Sequence, residues 1–359
     1  MQIDLILKAR QQNTYISKKK GGGQTPTSSV QTPISSMQIP NSSPQRRRGN
    51  DTPSQYANSQ SIGGNQASGP ADIKVFKAND TVSIPPGGWN CDILMIGGGG
   101  GAKRGGGGAG ACIVAIGQKL PAGTYVVTVG KGGGEYTSGG DSSISVGGNT
   151  IYLAKGGGSS GDVNANGKDG GCGGGAGVLN GSTTNYDGGI AVATNIVNSI
   201  PSGPAATSTY AVFGNRGGHQ RSTTGKSPPT ESYPSGYYAY PGGGGGIGSA
   251  GDDNIEGNAK AGNGGKGLNA ATINGITYNF KEHFGVDGFN GNGYIGGGGG
   301  GDNGTAKNTG ANGLTGSTKY SISYKSSHTD NLPDNTGSGG NGAFGAGSSG
   351  IVIIRVRTS

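Results

Sequence analysis

The stretch Cys91-Asp92-Ile93-Leu94-Met95-Ile96-Gly97-Gly98-Gly99-Gly100-Gly101 decides how this chain is read. Its first half is a short apolar run rich in strand formers, its second half carries no side chains, and nothing separates the two. The same junction recurs in both directions. Gly105–Gly110 leads into Cys112–Ile116, Thr124–Val129 runs into Gly130–Gly140, and Gly337–Gly350 leads into Ile351–Val356. Further strands are expected at Ile73–Phe76, Thr81–Ile84, Ser142–Val146, Thr150–Leu153, Ile276–Phe280 and Lys319–Tyr324. Other glycine tracts fall at Gly156–Gly177, Gly242–Gly267 and Gly291–Gly316. No segment repeats apolar residues at a 3.6-residue period, so the class expected is all-β.

Seven of the 83 glycines lie in residues 1–70 and the other 76 in the remaining 289 residues, about a quarter of that block against a usual ~7%. Each glycine costs roughly 0.5–1 kcal/mol more backbone entropy on ordering than alanine does. Folded tracts therefore need something numerous and regular to offset the loss, and only backbone hydrogen bonds qualify. Without side chains, extended threefold segments of the polyproline II kind can lie side by side and bond laterally. Collagen is excluded because strict Gly-X-Y spacing is absent and proline is sparse in the tracts. Flexible linker is the competing reading, but the alternation of tracts with strand-like runs in one block favours packing.

Residues 1–70 read as a separate extended arm, and residues 71–359 as one glycine-rich β domain. From Ser17 to Pro70 the chain is rich in Ser, Thr, Gln, Asn and Pro, a composition that cannot bury a core of its own. The arm holds +6 of the chain's +8 formal charge, including the triplets Lys18-Lys19-Lys20 and Arg46-Arg47-Arg48. These suit acidic patches on a partner protein, with an anionic membrane surface or nucleic acid as weaker alternatives. Cys91, Cys112 and Cys172 are odd in number and too widely spaced for a metal knuckle, so reduced structural thiols are expected. Asp4 interrupts the short apolar start, and no secretory signal is read there.

Catalytic and cofactor motifs fail on inspection. Gly97–Ala102 fits G-x-G-x-x-A, but Lys103-Arg104 and four more glycines follow where a helix is required, and no acidic residue occurs up to Gly130. Gly225-Lys226-Ser227 resembles the end of a phosphate loop, yet Gln220 stands at the first glycine position. Asp252, Asn254, Glu256 and Gly257 mimic a calcium loop whose twelfth position is Asn263 instead of Glu. His219, His283 and His328 accompany no nucleophile motif. No catalytic residue, metal ligand or cofactor is expected, and the protein is read as a non-enzyme. Tyr233, Tyr237, Tyr238 and Tyr240 form a candidate recognition loop, since tyrosine supplies contact area at low entropic cost. Two readings stay open for them and for Phe280, His283, Phe284 and Phe289: a ligand-facing loop, or a cap on the glycine packing.

One ordered set of pieces resembles a known family. It comprises Val75-Phe76, then Thr81-Val82-Ser83-Ile84-Pro85-Pro86-Gly87, then Cys91–Ile96 into Gly97–Gly101. It continues with Gly105–Gly110, Ala111–Ile116, Pro121-Ala122-Gly123-Thr124-Tyr125, Val127–Gly130, Gly139–Ser143 and the closing Gly350–Arg355. This order is similar to the glycine-rich domain of bacteriophage tail-fibre proteins, large-virus virion proteins and some bacterial surface proteins. The resemblance covers residues 71–359, with a divergent middle at about 180–290. It implies a jelly-roll-like β-sandwich carrying packed polyglycine II tracts, and no enzymatic activity. The function expected from it is that of a virion structural protein, a minor capsid or capsid-associated protein of a large virus whose arm links neighbouring virion subunits in a large assembly. The alternative is a receptor-binding tail-fibre tip that recognises host-surface carbohydrate or protein.

Overall fold

A computed structural model describes residues 72–178, 184–192, 195–196, 209–221, 240–254, 261–289, 291–302, 334–342 and 345–358, all within the chain's second unit, Gly63–Ser359. The basic arm lies outside them, as does the strand expected at Lys319–Tyr324.

Two antiparallel five-stranded sheets form a β-sandwich. The first contains β1 (Asp72–Phe76), β3 (Trp89–Ile96), β4 (Cys112–Leu120), β9 (Thr209–Phe213) and β12 (Ile351–Val356), in the order β1-β12-β3-β4-β9. The second contains β2 (Asp80–Ile84), β5 (Gly123–Thr128), β6 (Ser142–Val146), β7 (Asn149–Ala154) and β8 (Asn195–Ile196), in the order β2-β5-β6-β7-β8. A separate hairpin, β10 (Ala270–Ile273) and β11 (Ile276–Asn279), runs into the short helix α1 (Phe280–Phe284). Expected strands were thus found along most of the chain, and β8, β9 and β10 were missed. The hairpin turns explain part of the local structure: Gly147-Gly148 (φ 56° and 79°) and Asn274-Gly275 (φ 50° and 78°) supply the two left-handed residues that a tight type I′ connection demands.

β3 and β12 are apolar along nearly their whole length because they are covered on both faces. One face, with Cys91, Ile93, Met95, Val352 and Ile354, packs between the sheets against Tyr125, Val127, Ile144 and Ile151. The other, with Leu94, Ile96, Ile351 and Ile353, is covered by Ile273, Tyr278, Phe280 and Phe284 of the hairpin and α1, together with Ile295. Asn279 caps α1, its Oδ1 accepting from the backbone N–H of Lys281 and Glu282, and Gly285 ends it at φ 69°.

Beyond the strand ends the chain continues as laterally bonded glycine tracts. From Gly97 to Ala102, successive N–H groups donate to Ala111, Gly140, Ser348, Gly108, Thr137 and Gly345. Three neighbouring tracts are visited in rotation, with each return three residues further back. The tract Gly106–Ala111 donates with the same period of three to Gly242, Gly340, Gly158, Gly245, Gly337 and Lys155, its returns lying three residues further back on two neighbours and three further forward on the third. Cys172–Gly177 does the same against Ala109, Asn215, Lys168, Gly106, Gly218 and Ala165, again with one neighbour met in the forward direction. Donation with a period of three requires a threefold extended backbone, and it replaces the single bonding plane of a sheet by three directions. At the root of this lattice, the buried Ser142 Oγ donates to Ile96 O (2.8 Å) and accepts from Gly130 N (2.9 Å), joining one strand from each sheet.

Candidate functional site

Among the described residues, two places gather several charged side chains. The first is inside. Asp92 sits where the β3–β4 register shifts between Cys91 and Ile93, and its carboxylate is fully buried. Oδ2 faces His283 Nε2 of α1 at 2.9 Å and Arg355 at 3.5 Å, while Oδ1 accepts from Arg357 (2.6 and 2.9 Å) and from Gly117 N (2.8 Å). Burial alone would raise the Asp92 pKa, but the hydrogen bonds from His283, Arg357 and Gly117 outweigh it and hold the carboxyl below its ordinary 3.8. The cluster ties α1 and the β12 end to the central strand. The His283 ring packs edge-on to Tyr278 and Phe284, so it serves as a fixed donor in a packed corner.

The second place is the end of the lattice away from the sandwich. Tracts that leave β3, β5 and β7 turn there at 102–105, 134–137 and 160–165 before running back. Arg221, Tyr240, Asn254 and Ala261 also lie at this end of their tracts. We call this the distal face. Since the tract interiors offer main chain and a few small side chains such as Ser338 and Ser348, charge is displaced onto these ends. Lys103 pairs with Glu135 (2.6 Å) and lies 4.7 Å above the Tyr136 ring, with Tyr136 itself left-handed at φ 56°. The Glu135 hydrogen bond raises the Lys103 pKa.

Across the face, Asp187 Oδ1 meets both His219 Nδ1 and Arg221 at 3.0 Å. Asp253 Oδ1 accepts from His219 N (2.9 Å) and Arg216 (3.1 Å), Asn254 Oδ1 from Arg221 N (2.7 Å), and Asp252 from Asn263 (2.8 Å). The Arg221 hydrogen bond holds Asp187 below the ordinary carboxylate value. For Asp253 burial pulls upward, and the donors His219 N and Arg216 win. Among the described residues no group of three or more His, Cys, Asp or Glu is arranged to hold a metal, and no helix is long and apolar enough to cross a membrane.

The basic residues Lys18, Lys19, Lys20, Arg46, Arg47 and Arg48, and the aromatics Tyr233, Tyr237 and Tyr238, lie outside the described residues. Tyr240 is only 7% exposed, its ring enclosed where the chain rejoins the lattice. Phe280 and Phe284 are fully buried in the core. Cys91, Cys112 and Cys172 are free, buried thiols; burial pushes Cys91 and Cys172 up to about 12 and raises Cys112 as well.

The glycine-rich sequence profile that corresponds to this alternation of strands and tracts matches residues 73–357. The chain belongs to the glycine-rich domain family. The match begins in β1 and ends just past β12, so the family unit is the sandwich together with its lattice. No curated protein matches the chain.

Proposed function

We propose that this protein is a non-enzymatic structural component of a virion, in which the glycine-rich domain acts as a stiff building block. The observation that supports this reading is the lattice itself: main-chain groups of many described tracts bond to one another in three directions, so closely that a Cβ at most tract glycines would meet neighbouring backbone. We read the packing as polyglycine II on a jelly-roll-like sandwich, and the period of three in the donors supports the first part of that description. The charge distribution supports a minor capsid role, with residues 1–70 and their two basic triplets reaching neighbouring subunits. An arm of this composition gains order only against a partner.

Limited proteolysis tests that role. Sites at Lys18–Lys20 and Arg46–Arg48 are expected to be cut in the isolated protein and protected in its native assembly; equal cutting in both would overturn it. One observation favours a second reading, a receptor-binding tip: the charged side chains of Asp187, Arg216, His219, Arg221 and Asp253 gather at the distal face, where a rigid scaffold can present them. Deleting residues 223–238 is expected to leave assembly intact on that reading and to abolish attachment to host-surface carbohydrate or protein. Unchanged attachment would remove it.

A further inference from the structure

His219 Nδ1 is asked to do two incompatible things. The buried Gly188 donates its N–H to this nitrogen at 3.2 Å, which requires a lone pair there. Asp187 Oδ1 lies 3.0 Å from the same nitrogen, which requires a proton there. A neutral ring can accept from Gly188 but then turns its lone pair toward a carboxylate oxygen. A protonated ring can donate to Asp187 but then turns its proton toward the Gly188 N–H.

We propose that His219 is a protonation switch at the distal face, exchanging an acceptor contact to Gly188 for a donor contact to Asp187 as pH falls. The balance of the proton is simple: it arrives from solvent at Nδ1, on a side chain that retains 20% exposure. The groups facing it are Asp187 from the tract 184–192, Asp253 and Asn254 from the tract ending at 254, and Arg216 and Arg221 on its own tract. Asp187 and Asp253 are both held below the ordinary carboxylate pKa, so they stay ionised across the range in which histidines change charge. The neighbouring arginines stay charged as well. The His219 ring is the group of this cluster whose two contacts, to Gly188 N and Asp187 Oδ1, make opposite demands on its proton.

Protonation has a structural reach. Asp187 Oδ1 also holds Arg221, whose backbone N–H donates to Asn254 Oδ1. Drawing Asp187 toward His219 redistributes that contact and leaves a buried N–H without its acceptor. That the switch would make attachment at the distal face pH-dependent rests on the receptor-facing reading of that face; the switch itself does not.

The test is a titration of the full chain from pH 8 to pH 5, the interval of histidine charge change. Pairing carbonyl-labelled aspartate with nitrogen-labelled glycine makes visible only the amides of Gly170, Gly188 and Gly288, each of which follows an Asp. The Gly188 resonance is expected to shift in step with the His219 ring while Gly288 stays still. His219→Asn, which keeps an acceptor but has no proton to gain, should fix the Gly188 resonance at its high-pH position. Asp187→Asn, which removes the anionic acceptor, should shrink the Gly188 shift. A Gly188 resonance that stays flat while the His219 ring titrates overturns the switch. If Gly188 titrates but host-surface attachment shows no pH dependence that His219→Asn removes, the switch stands and its regulatory role falls.

Discussion

At the scale of single residues, the tract glycines are fixed by what surrounds them. A Cβ at Gly99 would fall on the Ser338 carbonyl, one at Gly107 on the Gly100 carbonyl and one at Gly244 on that of Gly107, all backbone atoms with no rotamer to yield. Gly99→Ala, Gly107→Ala or Gly244→Val is expected to abolish cooperative thermal unfolding of the domain. Gly134→Ala, at an exposed turn where a Cβ would meet nothing within 4 Å, should melt as the parent does. Asp92 invites a second test. Removing one member of a buried, hydrogen-bonded charge cluster costs about 3–5 kcal/mol, and Asp92→Asn should lower denaturant stability on that order. The sign of the pH effect follows from its depressed pKa. The Asp92 contribution is complete above the unfolded value near 3.8 and is lost as pH falls through the lower folded value, so acid unfolding of the parent should be steeper below pH 3.8 than that of Asp92→Asn.

At the scale of elements, much was legible and some was not, for identifiable reasons. The β3 junction could be read directly because a strand covered on both faces is apolar throughout and stops where side chains stop. β10 escaped although Asn274-Gly275 is a strong turn signal, since Ala270–Ile273 offers only four residues, two of them alanine. β9, Thr209–Phe213, has strand composition but lies within the divergent middle, far from its partner β4 in sequence. The Asp92–His283 contact spans 191 residues, and nothing in local spacing could announce it. The same holds for His219 and Asp187, whose meeting depends on how tracts are laid side by side. Ser142 gives the element-scale prediction. Ser142→Ala leaves the Gly130 N–H and one Ile96 carbonyl partner unreplaced in a buried place, and should destabilise the domain by about 1–3 kcal/mol. Guanidinium unfolding would measure it, and a loss near zero would mean the sheets are registered by packing alone.

At the scale of the whole molecule, the domain joins two materials through shared chain: a sandwich stabilised by buried apolar side chains and a lattice held by main-chain bonds. Because β3, β4, β5, β6, β7 and β12 pass directly from one into the other, the two should unfold as one unit. Native-state hydrogen exchange is expected to give the amides of Gly98, Gly108 and Gly175 the same opening free energy as those of Ile93 and Ile353. Lattice amides that exchange well before the strand amides would show that the tracts open independently of the sandwich. The threefold rotation of donors has one more consequence. A stack of sheets is anisotropic and delaminates along the plane that hydrogen bonds do not cross. A bundle bonded in three lateral directions has no such weak plane, so a sideways load is shared around the cross-section and failure must shear across every direction together.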